Sequence, residues 1–191
     1  MLDRPRGARG LLALGHGASG GVDAPDLIAV RDAAVASGLA VARITQPYRV
    51  QGRRAPAPAT QLDAAWIAAV TEAHRRAGSR LPLAVGGRSS GARVAARTAA
   101  ALEAMGVLAL AFPLHPPGKP GSSRAGELDP ARPTLVINGD KDAFGVPEAG
   151  GQVQVVVRPG EQHALRRDPK GVAAVAVEWL VEVLGLVRES T

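Results

Sequence analysis

The chain has no cysteine. That excludes disulfide staples, thiolate nucleophiles and cysteine-ligated zinc. Aromatic residues make up only 3% of its 191 residues, so a core must be assembled largely from Ala, Val and Leu. Tyr48, Trp66, Phe112, Phe144 and Trp179 therefore stand out. No apolar run approaches the roughly 20 residues that a membrane-spanning helix needs. The opening MLDRPRGARG leads into only a few apolar residues before Gly15 and His16, without the apolar stretch and cleavage site of a secretory signal. A cytoplasmic protein without membrane contact is expected. Long runs of one charge are also missing. The net charge is +6 and the isoelectric point near 10.9, yet the basic residues fall into short groups such as Arg53-Arg54, Arg75-Arg76 and Arg166-Arg167. With no aromatics interleaved, these groups are expected to be solvated surface rather than a nucleic-acid face.

What is present suits one compact unit. A hydrophobic content of 46% over 191 residues can bury the core of an ordinary domain, and a single domain over residues 1–191 is expected. Six segments read as strands: 10–16, 39–44, 81–87, 107–114, 133–139 and 153–159. Each is continuously apolar rather than alternating, as in a sheet covered on both faces. Helices are predicted between them. One covers 25–37. Another covers 60–77, opened by Thr60 with Asp63 three positions on. A third follows Ser89, and the last runs from Pro169 to Val187 with Asp168 as its cap. Trp66 and Trp179 fall on apolar stripes and read as core. His74, beside Arg75 and Arg76, reads as surface. Segments 48–59 and 115–133 are rich in Pro, Gly and Arg and read as loops. The alternation predicts a three-layer α/β domain with a mostly parallel sheet of about six strands and no large lid. The segment LAVARI (39–44) would form an exposed edge able to pair with a second copy as a homodimer.

In such sheets, ligands bind beyond the carboxyl ends of the strands. His16, Ser89, His115, Asp140 or Asp142, and His163 all fall at those ends. Residues 81–97, LPLAVGGRSSGARVAAR, read as strand, sharp turn, helix. The glycines two before and two after Ser89 permit the tight turn that would lift its hydroxyl clear of the backbone. Acyl transfer by serine further needs a base, an acid to orient that base, and N–H donors for the oxyanion. NGDKD (138–142) and GEQH (160–163) supply an acid, then a histidine. The order Ser, Asp, His is that of the α/β-hydrolase fold.

The segments GHGASG (15–20), GGRSSGAR (86–93), FPLHPPGKP (112–120), NGDKDAFG (138–145) and PGEQHAL (159–165) carry a resemblance. Across essentially its whole length the chain resembles the dienelactone-hydrolase-like branch of the α/β hydrolases. It is especially similar to the small testis-expressed-type and histone-acetyltransferase-complex-subunit-type hydrolases and their bacterial relatives. The resemblance implies a minimal α/β-hydrolase fold and a serine hydrolase acting on a small-molecule ester or thioester, with no metal or cofactor. It places the nucleophile on Ser89, the base on His163 and the acid on Asp142, with Asp140 competing. It places the oxyanion donors on the amides of Ala18 or Gly17 and of Ser90. His16 would orient the oxyanion loop as a buried imidazole. His16, Arg88, His115 and Phe144 are candidates for lining the site. Arg88 would either attract an anionic group or pair with a carboxylate. Lys119 matches the same signature as His115, without a role that can be derived.

Two other readings compete. GHGASG also satisfies the dinucleotide fingerprint G-x-G-x-x-G, but LAVARITQP (39–47) ends without the ribose-binding acid. Arg43 or Arg49 there would favour NADP. The second is a catalytically silent hydrolase-like scaffold used for binding.

Overall fold

The computed structural model describes residues 1–54 and 56–186. Among these residues, seven strands form one sheet: β1 (Leu2–Asp3), β2 (Gly10–Gly15), β3 (Leu39–Ile44), β4 (Leu83–Arg88), β5 (Gly106–Leu110), β6 (Thr134–Gly139) and β7 (Val153–Arg158). Their spatial order is β1-β3-β2-β4-β5-β6-β7. Only β1 runs antiparallel to its neighbour. The chain winds from β2 outward to β3, then returns to place β4 on the other side of β2. The gap between the carboxyl ends of β2 and β4 is therefore the topological switch point, where α/β sheets hold their ligands.

Continuous apolarity in the strands has its physical origin in two covering layers. In β2, Leu12 and Leu14 face a cluster with Leu27 and Val30 of α1 (Pro25–Ala36) and with Ala176, Trp179 and Leu180 of α5 (Pro169–Val183). Leu11 and Ala13 face Leu62, Trp66 and Val70 of α3 (Ala59–Ala77) and Val94 and Ala95 of α4 (Ser90–Thr98). Each fully buried leucine of this kind contributes about 1.5–3 kcal/mol of transfer free energy. Asp168 caps α5 as expected, accepting the Gly171 N–H at 2.8 Å.

Several expectations are corrected. LAVARI is not an edge, because β1 pairs with it through the register Leu2 opposite Ala42 and Asp3 opposite Val41. Thr60 and Asp63 do not cap α3. It starts at Ala59 after Pro58 with no side-chain cap, and Asp63 is drawn instead into a bidentate pair with Arg97. The segment read as a strand over 107–114 ends at Leu110, since Ala111 adopts a positive φ of 47° that breaks the extended run. The loop 48–59 is preceded and entered by one helical turn, α2 (Pro47–Val50). The helix expected to reach Val187 ends at Val183, and Val187 lies outside the described residues. His74 is half-buried rather than solvated, its Nε2 meeting the Leu81 carbonyl at 2.8 Å. Segment 115–133 contains only a 3-10 turn at Ala125–Glu127, so no helical lid covers the switch point.

Candidate active site

Ser89 sits between β4 and α4 with φ 53° and ψ −112°, a combination that L residues adopt only under strain. Two glycines make the turn possible. A Cβ on Gly87 would stand 2.5 Å from the Gly15 carbonyl oxygen, and one on Gly91 would stand 2.5 Å from the Gly15 carbonyl carbon. Any side chain at either position would push α4 off β2. The Ser89 N–H is fixed by the Leu110 carbonyl at 2.9 Å, and the side chain is left at the rim of the sheet.

There it meets His163, which follows β7. His163 Nε2 lies 2.9 Å from Ser89 Oγ, and Nδ1 lies 2.8 Å from Asp142 Oδ2. Asp142 follows β6 and is buried. Its other oxygen accepts the Phe144 N–H at 2.9 Å. Asp140, the competing acid, is exposed and accepts the Gly160 N–H at 2.7 Å. The Phe144 ring lies 4.2 Å from the imidazole, centroid to centroid, at an interplanar angle of 39°. Ser89, His163 and Asp142 are thus brought together from three strand ends, with Phe144 beside them.

Asn138, to which the sequence assigns no role, organises the acid loop. Fully buried, it accepts the Phe112 N–H at 2.8 Å and donates to Phe112 O at 3.0 Å, to Gly145 O at 3.2 Å and to Asp142 Oδ2 at 3.4 Å. The only available signal was its place at the end of an apolar strand, where a buried amide must be satisfied.

The loop after β2 approaches the same serine. A Cβ on Gly17 would be 3.5 Å from Ser89 Cβ. His16 is fully buried behind this loop and does not line the cleft. Its Nε2 accepts the Gln46 N–H at 2.9 Å, so Nδ1 carries the proton and donates to Gly17 O at 2.8 Å. Tyr48 donates to Ala18 O at 3.1 Å, a second tether that the sequence showed only as a rare aromatic. Segment 16–24 is turn and loop, and α1 starts only at Pro25. The helix N-terminus that a dinucleotide fingerprint requires directly at its glycines is therefore displaced. His115 likewise stays off the cleft, its Nδ1 meeting Pro116 O at 3.0 Å.

Burial holds His16 below its ordinary value, and protonation would destroy the Gln46 contact. Between the lower folded value and the unfolded value of ~6.5, the unfolded chain binds more protons, so stability falls as pH falls. The urea midpoint is expected to drop between pH 7.5 and pH 5, and a His16→Gln variant to lose part of that dependence.

Arg88 pairs with a carboxylate, that of Asp26 on α1, at 3.1 Å, and donates to His163 O at 3.2 Å. Asp26 is only 1% exposed. Its carboxyl is pushed up by burial, with Arg88 opposing. Removing Arg88 would strand a buried charge. Arg88→Met is therefore expected to cost ~3–5 kcal/mol at pH 7. With the Asp26 carboxyl raised further, stability should fall as pH rises above its unfolded value of ~3.9. The double variant Asp26→Leu/Arg88→Met should recover much of the loss in urea denaturation, because both charges leave together.

The cleft around Ser89 and His163 has a volume of about 440 Å³ and also takes in Gly17, Ala18, Ser90 and Phe144. Among the described residues no group of three or more His, Asp or Glu side chains converges as a metal site would require, and no helix is long and apolar enough to cross a membrane.

Strained serine, imidazole relay and switch-point placement define a class, and residues 8–165 match the family model described as an alpha/beta hydrolase domain. The chain belongs to the α/β-hydrolase superfamily. Est1E from Butyrivibrio proteoclasticus, solved with ferulic acid, is similar in fold with a TM-score of 0.79 at 17% identity, over 97% of this chain and 94% of that one. An α/β serine hydrolase without a lid from Xanthomonas campestris gives 0.75 at 21% identity, over 100% and 89%. A dienelactone hydrolase from Anabaena variabilis gives 0.72 at 22% identity, over 95% and 89%. No curated protein matches the chain.

Proposed function

We propose that the protein is a serine hydrolase that cleaves small carboxylic esters or thioesters through an acyl-enzyme. The observation that carries this reading is the single imidazole of His163, hydrogen-bonded at one nitrogen to Ser89 Oγ and at the other to Asp142. In that arrangement Asp142 holds the tautomer with Nδ1 protonated, leaving Nε2 free to take the serine proton. Ser89 attacks the acyl carbon, the leaving group receives the proton from His163, and water repeats the sequence on the acyl-enzyme.

The oxyanion donors of this reading are the N–H groups of Ala18 and Ser90. Among the described residues neither donates to another protein group. Ser90 is the first residue of α4, where an N–H has no partner within the helix. The Ala18 assignment is supported by peptide geometry. In a trans peptide the carbonyl and the next N–H point in opposite directions, so drawing Gly17 O onto His16 Nδ1 turns the Ala18 N–H away from the imidazole.

A fluorophosphonate probe tests the proposal. It should modify Ser89 in the wild-type chain and nothing in Ser89→Ala. A folded wild-type protein that resists the probe would instead favour a binding scaffold without turnover.

A further inference from the structure

The cleft beside Ser89 is lined by four arginines, Arg88, Arg93, Arg97 and Arg124, and by no aspartate or glutamate among the described residues. Three of these cations are committed elsewhere. Arg88 faces Asp26. Arg93 grips Glu127 through two bonds of 2.7 and 2.5 Å. Arg97 grips Asp63 at 2.9 and 2.6 Å, and its remaining nitrogen reaches Glu127 at 3.4 Å. The carboxylates around the cleft are used up, and they lie behind the arginines rather than on its wall.

Arg124 is the cation left over. Its guanidinium has no hydrogen bond or ion pair to any group among the described residues, although it is half-buried. Burial lowers its pKa first and the neighbouring Arg93 lowers it further, with Glu127, already gripped by Arg93, opposing. A partly desolvated, like-charged position is unfavourable for an arginine unless an anion joins it. Its backbone is nonetheless held firmly. The Arg124 N–H donates to Leu114 O at 2.7 Å, and its carbonyl accepts the Glu127 N–H at 2.9 Å. An unpaired fork of N–H donors on an anchored backbone thus shares an open cleft with the strained serine. That fork matches the paired oxygens of a carboxylate or phosphate.

We propose, building on the serine-hydrolase reading, that Arg124 determines specificity by receiving an oxyanion of the substrate remote from the scissile carbonyl. The preferred substrates are then anionic esters or thioesters rather than neutral ones.

The test compares matched substrates in the same protein. 4-Acetoxybenzoate and 4-acetoxyphenyl phosphate, against neutral phenyl acetate, place a carboxylate or a phosphate on the leaving group. Mono-p-nitrophenyl adipate against p-nitrophenyl hexanoate places a carboxylate on the acyl side. In at least one pair kcat/KM should favour the anion by ~10-fold or more, and the pair that does so identifies the anion and its side. That ratio should collapse towards unity in Arg124→Gln, be partly kept in Arg124→Lys, and shrink with added salt. Because it is taken within each variant, any loss common to both substrates cancels. No preference in any pair, or a preference unchanged in Arg124→Gln, overturns the proposal.

If wild-type protein hydrolyses none of these esters, the serine-hydrolase reading fails and calorimetry decides the anion site separately. Adipate and inorganic phosphate are titrated into wild type and Arg124→Gln. Binding of either anion that weakens ~10-fold in the variant upholds an oxyanion site at Arg124. Equal binding, or none in either protein, sinks it.

Discussion

Ser89→Ala and His163→Ala should each lower kcat/KM on p-nitrophenyl acetate by ~10⁴-fold or more, to the level left by oxyanion donors and binding alone. The expectation follows from the unit they form, in which one imidazole contacts both Ser89 Oγ and Asp142. Without the serine there is no acyl-enzyme. Without the imidazole the hydroxyl keeps its proton at neutral pH. Combining the two substitutions should cost little more than either, because each removes the same pathway. The carboxylates separate sharply. Asp142→Asn should cost ~10⁴-fold by allowing the wrong tautomer. Asp140→Asn should retain wild-type turnover, since its side chain is exposed and bonded to Gly160 N. Steady-state kinetics on the four single variants, with circular dichroism to confirm folding, check the whole set. Equal losses at positions 140 and 142 would refute the assigned acid.

Gly91→Ala is expected to be among the most damaging substitutions of a single methyl group. The added Cβ would lie 2.5 Å from both the carbonyl carbon and oxygen of Gly15 and 2.9 Å from the His16 carbonyl oxygen. Those atoms cannot yield, because β2 is hydrogen-bonded to β3 on one side and β4 on the other. Relief requires α4 to lift, which relaxes the strained Ser89 backbone and withdraws the Ser90 N–H from the cleft. A loss of ~4 kcal/mol or more in urea denaturation is expected, with fluorophosphonate labelling lost as well. Gly121→Ala is the control. A Cβ there meets nothing within 4 Å, and its effect should stay within ~0.5 kcal/mol. Similar midpoints for the two variants would mean that α4 tolerates displacement from β2.

Much of this site is legible in the sequence, for a local reason. Glycine, serine and glycine at spacing two, following an apolar run, announce a turn whose sterics are settled within five residues. The order of Ser89, Asp142 and His163 reflects which strands they follow, and the strands themselves can be found from apolarity. Asp168 and Pro169 marked the start of α5 in the same way. The reading failed where partners are distant. Asp63 looked like a capping residue from its neighbours, but Arg97 on another helix claims it. Leu2 and Asp3 carry too little pattern to be seen as a strand, and only the extended Leu39–Ile44 beside them makes them one. His16 is the buried imidazole expected behind the loop after β2, although the Gln46 N–H that fixes its tautomer lies 30 residues away.

The amino-acid order by itself determined the alternation of strand and helix, the sharp turn at Ser89 and the identity of the groups available for chemistry. These depend on periodicity and sterics over a few residues. Tertiary structure alone decided which arginine keeps a carboxylate and which is left over, that Asn138 anchors Phe112, and that the Gln46 N–H meets His16 Nε2. Those outcomes rest on pairings between residues far apart in the chain, where burial makes an unsatisfied polar group costly and only the assembled fold shows which groups meet.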